Sequence, residues 1–445
     1  MCRLRHCEQS RTEAFATPYE GGITRATQIT ISFMKGDAYL QPETVLKTWF
    51  GYDAFRPGQR DVVDTILSGR DCLAVLPTGA GKSVCFQIPA LMQPGVTFVI
   101  SPLISLMEDQ VAHLQQKHIP AACLNSSMSK RTYNQTLQDV EAGVYKLLYL
   151  SPERLQNQWF IRFAQKNPPS FVVVDEAHCV SQWGHDFRPA YLQIPDFIKT
   201  LPKRPLYAAF TATATPRVRQ DIITGLGMND PAAIVRGFDR PNLFFAKKSV
   251  ADKDRALLDA LEKVKDRSGI VYCATHQNTE KVFRLLQRKG YAAARYHAGL
   301  TPGERNRTQA DFICDRIKIV AATSAFGMGI DKENVSFVIH YNMPQSLEEY
   351  YQEAGRAGRN GEESYCLLLY SREDFAINEA LARQQEKPER ALALLASMWD
   401  YAQHEGCLRN YILRYFGEDV TGECGKCSYC KTKPFWQRFT NILRI

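Results

Sequence analysis

The sequence predicts an α/β chain, two tandem parallel-sheet domains followed by a small helical unit held by four cysteines. Three observations predict it. Short apolar runs recur, separated by helical stretches, and in the first half each run ends in a polar cluster. A joint rich in Gly, Pro and charge, RGFDRPNLFF at 236–245, splits that alternation into two blocks. Cys407, Cys424, Cys427 and Cys430 then stand at a spacing that suits one tetrahedral metal site.

Composition sets the limits. The chain has 445 residues, 45% hydrophobic and 23% charged, which gives room for two or three domains with cores of their own. No apolar run approaches the ~18 residues of a membrane span, and MCRLRHCEQSRTEAF has no apolar centre for a signal peptide. A cytoplasmic, nucleoid-associated location is therefore the default. The net charge of +8 suits a polyanionic partner. Thirteen cysteines in such a chain point to reduced thiols and metal, not to a disulfide framework.

Residues 1–39 carry mixed charge without a sustained period and read as a poorly ordered leader. Helical text follows (PETVLKTWF), then a loop with Tyr52, Arg56 and Gln59. Such residues suit a purine: a ring stacks on the base, and Gln both donates to and accepts from the adenine edge. An ordinary helical loop with polar surface residues would read the same way. The nucleotide loop about two dozen residues downstream favours the functional reading.

That loop is LAVLPTGAGKS, 73–83. The apolar run reads as a buried strand; Thr78, Gly79, Ala80 and Gly81 form the turn; Lys82 and Ser83 open a helix. Glycines let successive N–H groups converge on one anion, and the helix N-terminus adds partial positive charge. Lys82 suits β/γ-phosphate oxygens and the Ser83 hydroxyl suits Mg²⁺. The strict pattern wants Gly where Leu76 stands. The PTGxGKS spelling resembles instead the Walker A motif of superfamily 2 helicases.

Apolar runs at 96–100, 147–150, 171–174 and 207–210 lead into SPLISL, SPER, DEAH and TATA. Functional residues of parallel sheets sit just past the carboxyl ends of strands. The pair Asp175-Glu176 there suits a cation held by Asp175, and a water polarised by Glu176. His178, Gln182, Trp183, His185, Phe187 and Arg188 combine stacking rings with phosphate donors, the recipe for single-strand binding.

Beyond the joint, a second alternation runs through 269–274, 292–300, 318–323, 337–342 and 364–370, with no phosphate loop of its own. In SLEEYYQEAGRAGR, Gln352, Arg356 and Arg359 share one side if the helix continues through them. Arginine there would grip phosphate bidentately. The boundaries read as domain 1 at 40–241, domain 2 at 242–371, a zinc-binding subdomain at 372–431 and a tail at 432–445. Metal binding on the order of 10–16 kcal/mol would fold so small a unit.

Taken together, the DEAH spelling, the TAT after the next strand, the aromatic run HCVSQWGHDFRP, ATSAFGMGID, QEAGRAGR and the cysteine block with YFGE resemble the RecQ family of DNA helicases. The resemblance covers Leu40 to Cys430. It implies two RecA-like domains and a Cys₄ zinc subdomain, with ATP, Mg²⁺ and Zn²⁺ as cofactors. Tyr52, Arg56 and Gln59 would contact the nucleotide, the aromatic loop would couple DNA contact to hydrolysis, and Arg359 would be the γ-phosphate finger, supported by Arg356 and Gln352. Thr275-His276 stands where the family usually has Ser-Arg. It further implies 3′ to 5′ movement on single-stranded DNA, tailed or forked duplexes as substrates, roles in recombination and repair, and a monomer. The fifteen residues after Cys430 leave no space for winged-helix and HRDC domains, so a short member is expected. The rivals are an RNA helicase, and a DNA-stimulated translocase with little strand separation.

Overall fold

The structure, a computed structural model, describes residues 41–432 apart from 126–127, 185 and 328–331. The expected leader, and all of the expected tail but Thr432, lie outside the described residues.

The first block builds a seven-stranded sheet from β1 (Cys72–Val75), β2 (Thr97–Ile100), β3 (Ala121–Leu124), β4 (Leu147–Leu150), β5 (Phe171–Val174), β6 (Leu206–Thr211) and β7 (Ala232–Val235). They lie in the order β3-β4-β2-β5-β6-β1-β7, and every pairing is parallel. β1, β2, β4 and β5 are buried along their whole length, as helices on both faces require. Register sets Val75 beside Thr211 and Val174 beside Ala209. The carboxyl ends of β1, β6 and β5 therefore stand side by side, and the phosphate-loop sequence, the TAT turn and the acidic pair leave the sheet together.

The second sheet holds β8 (Leu243–Ser249), β9 (Gly269–Tyr272), β10 (Ala293–Tyr296), β11 (Ile319–Ala322), β12 (Phe337–His340) and β13 (Ser364–Tyr370). Its order is β10-β11-β9-β12-β13-β8, again all parallel. Three of the thirteen strands, β3, β7 and β8, were not expected from the sequence. β3 (AACL) has little bulk, β7 is only partly buried, and β8 reads LFFAKKS on an outer position, where lysines guard an edge.

Local chemistry fixes where the helices start. Asn157, Thr215, Thr275, Ser346 and Ser371 each accept a backbone N–H of the first turn they cap. Thr301 and Glu304 form a reciprocal capping box. Among the described residues no helix is long and apolar enough to cross a membrane.

Helices Arg372–Arg383, Pro388–Gln403, Leu408–Tyr415 and Ser428–Thr432 form the cysteine-bearing unit. One apolar cluster runs from β1 and β5 through Phe238 and Tyr351 into Tyr401, Ile412 and Phe416, so the three parts share a core. Lys247 on β8 donates to the Ala402 and His404 carbonyls at 2.8 and 2.5 Å, closing the end of helix Pro388–Gln403. Arg409 donates to Asp239 at 2.9 Å and to the Leu243 carbonyl at 2.6 Å.

Phe238 is the centre of this junction. Its ring stacks on Phe416 at 4.4 Å and meets Tyr351 edge-on at 6.1 Å, and its N–H donates to Glu418. The side chain is 1% exposed. Phe238→Ala is expected to cost about 3–5 kcal/mol of unfolding free energy, read from urea midpoints, because the cavity opens where three units meet. Phe238→Leu should keep more than half of the difference.

Candidate nucleotide and nucleic-acid site

After β1 the chain enters the loop, and Gly79 and Gly81 take φ +85° and +76°. At Gly81 a side chain would meet both that strain and the Gln59 amide. The helix then begins at Lys82, as its sequence suggested. Four consecutive loop carbonyls are each held from outside. The Arg56 guanidinium donates to Gly79, the Gln59 amide to Ala80 at 2.8 Å and Gly81 at 3.2 Å, and Arg240 to Thr78 at 3.1 Å. The Ala80 N–H is taken by the Pro77 carbonyl at 3.1 Å, and the helix that starts at Lys82 leaves its first N–H groups without an intrahelical partner.

Gln59 thus differs from its sequence reading. It is 4% exposed, accepts the Arg56 N–H at 2.8 Å and donates both ways into the loop. It bonds to the loop backbone, where the sequence alone suggested only a base edge to read. Tyr52 is 51% exposed and keeps a free ring face for stacking.

Asp175 and Glu176 follow β5. Glu176 sits at φ 47°, ψ 46°, a left-handed conformation rare for a residue with a Cβ. Its N–H donates to Asp175 Oδ1 at 2.9 Å. Burial and the Glu176 charge push the Asp175 carboxyl up to about 7, against the pull of Lys82. Ser83 lies half-buried on the first turn of the Lys82 helix.

His178 departs from expectation. The sequence placed it among the DNA contacts, but it is 2% exposed and its Nδ1 lies 3.0 Å from Thr211 Oγ1. Burial, Lys82 and Arg188 hold it neutral, near 3. The Thr211 hydroxyl also accepts the Thr213 N–H at 3.3 Å, so His178 ties the acidic turn to the TAT turn.

The aromatic loop is held at both ends. Trp183 is half-buried with the Arg217 guanidinium 3.6 Å from its ring centre. Phe187 lies under Lys387 and Arg390, at 5.8 and 5.9 Å, and Arg390 also donates to the Gly184 carbonyl. Arg188 pairs with Asp186 at 3.0 Å and donates to the Pro102 carbonyl at 2.9 Å. Gln182 is exposed. His185 lies outside the described residues, as do the last four residues of ATSAFGMGID.

The second sheet brings the arginines. The expected continuous helix is corrected: it spans Leu347–Ala354, and Arg356 and Arg359 fall in turns beyond it. Gly358 at φ +62° ends any helical course, since its N–H goes to the Val335 carbonyl at 2.8 Å. The two arginines consequently part. Arg356 is 7% exposed and donates to the Gly327 carbonyl inside its own lobe. Arg359 lies against the nucleotide loop: a Cβ on Gly79 would stand 3.5 Å from Arg359 Cγ. Gln352 is half-buried near the end of the helix. Below the turn, His340 Nε2 and Glu353 Oε2 are 2.8 Å apart. Burial lowers the imidazole to about 3 and raises the carboxyl to about 8, so this is a hydrogen bond between neutral groups.

The four cysteine sulfurs all lie within 4.8 Å of one another. Cys427 and Cys430 are 3.4 Å apart, Cys424 and Cys430 3.9 Å. A tetrahedral Zn–S bond of ~2.3 Å spaces sulfurs ~3.8 Å apart, so the donors fit zinc. The Cys424 and Lys426 N–H groups donate to Cys407 Sγ and Cys424 Sγ, each at 3.4 Å, as needed to stabilise thiolates.

Three family models match the chain: DEAD/DEAH box helicase over 56–222, helicase conserved C-terminal domain over 252–361 and RecQ zinc-binding over 372–431. The chain is 44% identical over 392 residues to the ATP-dependent DNA helicase RecQ of Bacillus subtilis, covering 87% of this chain and 66% of that protein. It is 41% identical over 394 residues to the same-named protein of Haemophilus influenzae, covering 88% and 64%. A mimivirus protein provisionally named an ATP-dependent RNA helicase is 39% identical over 398 residues, covering 88% and 72%. The chain thus spans about two thirds of the length of these relatives. A Mycobacterium smegmatis helicase Lhr structure bound to single-stranded DNA and AMP-PNP has the same fold, with TM-score 0.58, 21% identity and coverage of 79% of this chain and 50% of that one.

Two outcomes are expected of these features. Glu353 holds a proton in the native state that the unfolded chain releases above its usual 4.5, so its stabilisation is complete below that value and disappears as pH rises through about 8. Urea midpoints should therefore fall between pH 6 and 8.5, by at most about 1.4 kcal/mol per pH unit from this group, and Glu353→Gln should flatten the fall. Removing zinc, by chelation or by Cys427→Ala, should melt the unit at 372–431 and expose Phe238, seen as faster proteolysis there and a loss of bound metal.

Proposed function

The chain belongs to the RecQ family of helicases, and we propose that it is an ATP-dependent DNA helicase moving 3′ to 5′ along single-stranded DNA. Recombination and repair are the roles that this reading implies. The observation that carries it is the approach of Arg359 to the Gly79 loop, which brings elements of both sheets to one phosphate site.

In this reading residues 40–241 and 242–371 are the two motor domains, 372–431 is the zinc-binding subdomain, and the nucleotide lies between the motors. Tyr52 stacks on the base, and Arg56 and Gln59 hold the cradle in shape. Lys82 meets the β/γ-phosphates through its ammonium group. Ser83 and Asp175 would hold Mg²⁺, which supplies charge neutralisation on the phosphates when bound. Glu176 orients the attacking water and accepts its proton. Arg359 stabilises the charge that builds up on the γ-phosphoryl oxygens, an effect that in such fingers is worth roughly 10³–10⁵ in rate. Arg356 braces the 322–327 segment instead of reaching phosphate. Gln182, Trp183, Phe187 and Arg188 contact the strand, and Trp183 and Phe187 supply the stacking faces. Separating a base pair costs about 1.4 kcal/mol per step, a small demand, so coupling is the harder problem.

The name of the viral relative favours RNA as the alternative strand. ATPase stimulation by DNA and by RNA of one sequence, followed by displacement of 3′- and 5′-tailed duplexes, decides both strand type and direction. Lys82→Ala is expected to abolish DNA-stimulated phosphate release, a loss of at least about 100-fold, while fluorescence anisotropy shows DNA binding nearly unchanged. Retained turnover in that variant overturns the assignment of Lys82.

A further inference from the structure

We propose that Arg240 is a positioning residue that sets the distance between the Arg359 turn and the nucleotide loop; the inference rests on the reading of Arg359 given above. Arg240 comes from the joint between β7 and β8, a stretch that the sequence marked only as a boundary. Its guanidinium binds four backbone carbonyls. Nη1 donates to Thr78 at 3.1 Å and to Gly355 at 3.2 Å. Nη2 donates to Ala357 at 3.0 Å and Gly358 at 2.9 Å. No carboxylate is among these partners.

The arrangement has a clear cause. The helix stops at Ala354, and its last carbonyls, those of Tyr351, Glu353 and Ala354, accept the N–H groups of Gly355, Arg356 and Ala357, so the carbonyls that need a donor from elsewhere are those of the turns that follow. A planar cation with several donors is the side chain that can satisfy three of them at once. Asn242 adds a bond to Gly358 at 2.8 Å and one to the Glu362 carbonyl at 2.9 Å. The turn that precedes Arg359 is therefore pinned by the interdomain joint.

The fourth acceptor, Thr78, belongs to the other lobe and lies 162 residues away in sequence. Three bonds keep Arg240 with the arginine turn; one bond reaches the cradle. When the lobes separate, the Thr78 bond is the one that breaks, and when they close it re-forms at the atom that flanks the phosphate site. Arg240 acts through Arg359: its four acceptors are backbone carbonyls of the nucleotide loop and of the turn that carries the finger, so it decides where the finger arrives.

The test uses the full chain with single-stranded DNA and ATP. Arg240→Ala should lower kcat by about 10- to 100-fold, as expected of a misplaced finger, with KM for ATP changed less than about threefold. Arg240→Lys, which keeps the charge but cannot fork across four carbonyls, should recover only part of kcat. Because the role runs through the finger, Arg240→Ala combined with Arg359→Ala should be no slower than Arg359→Ala alone. Bound zinc and urea midpoints establish that each variant is folded, and if Arg240→Ala is not, Arg240→Lys carries the same cycle. A parental kcat in folded Arg240→Ala while Arg359→Ala is slow overturns the proposal, and so do losses that multiply in the double variant. Parental turnover in Arg359→Ala instead removes the reading of the finger, and Arg240 loses its role with it.

Discussion

The structure depends on how one short loop disposes of its carbonyl groups. On the proposed reading this loop, 78–81, offers N–H groups to an anion, while the carbonyls of the same residues find donors elsewhere. Arg56, Gln59 and Arg240 provide them. Two come from the preceding loop and helix and one from the joint that follows β7. The sheet order makes this meeting possible, since β1 lies between β6 and β7 and its carboxyl end is surrounded by turns from both neighbours. The turn after helix Leu347–Ala354 brings Arg359 to the same spot.

Much of the architecture was legible because its signals are local. The strand β4 and the strand β5 stand at the residues where uninterrupted apolar text placed them, and β13 does as well. The parallel sheets and the cysteine cluster followed from alternation and spacing. What escaped is long-range or depends on termination. β8 has the lysines of an edge and looked like a joint. The end of the helix at Ala354 was hidden because QEAGRAGR keeps a helical spacing, while the Gly358 N–H is claimed by Val335 from another element. Arg240 gave no signal, since its four acceptors are backbone atoms up to 162 residues away. Gln59 was read as a base contact and bonds to the Ala80 and Gly81 carbonyls, because periodicity cannot say which face of a loop a side chain meets.

The cysteine-bearing unit shows how little apolar material a small module needs when it can lean on others. It contributes Phe416 and Glu418, just past helix Leu408–Tyr415, to the surroundings of Phe238, and Arg409 to the joint between the sheets. A clustered set of four sulfurs takes the place of a core that so few residues cannot build. The same unit supplies Lys387 and Arg390, whose cations lie over Phe187. Cations placed on an aromatic face are also cations that a phosphate backbone would attract, so Phe187 and such a backbone would compete for the same two charges.

The backbone at Glu176 has an evolutionary cost. A carboxylate-bearing residue occupies φ 47°, a region where a chain without a Cβ would rest more easily by roughly 1–2 kcal/mol. On the proposed reading of Glu176, random replacement by glycine would thus make the protein more durable and, in the same stroke, idle. Selection for persistence and selection for work pull this codon in opposite directions.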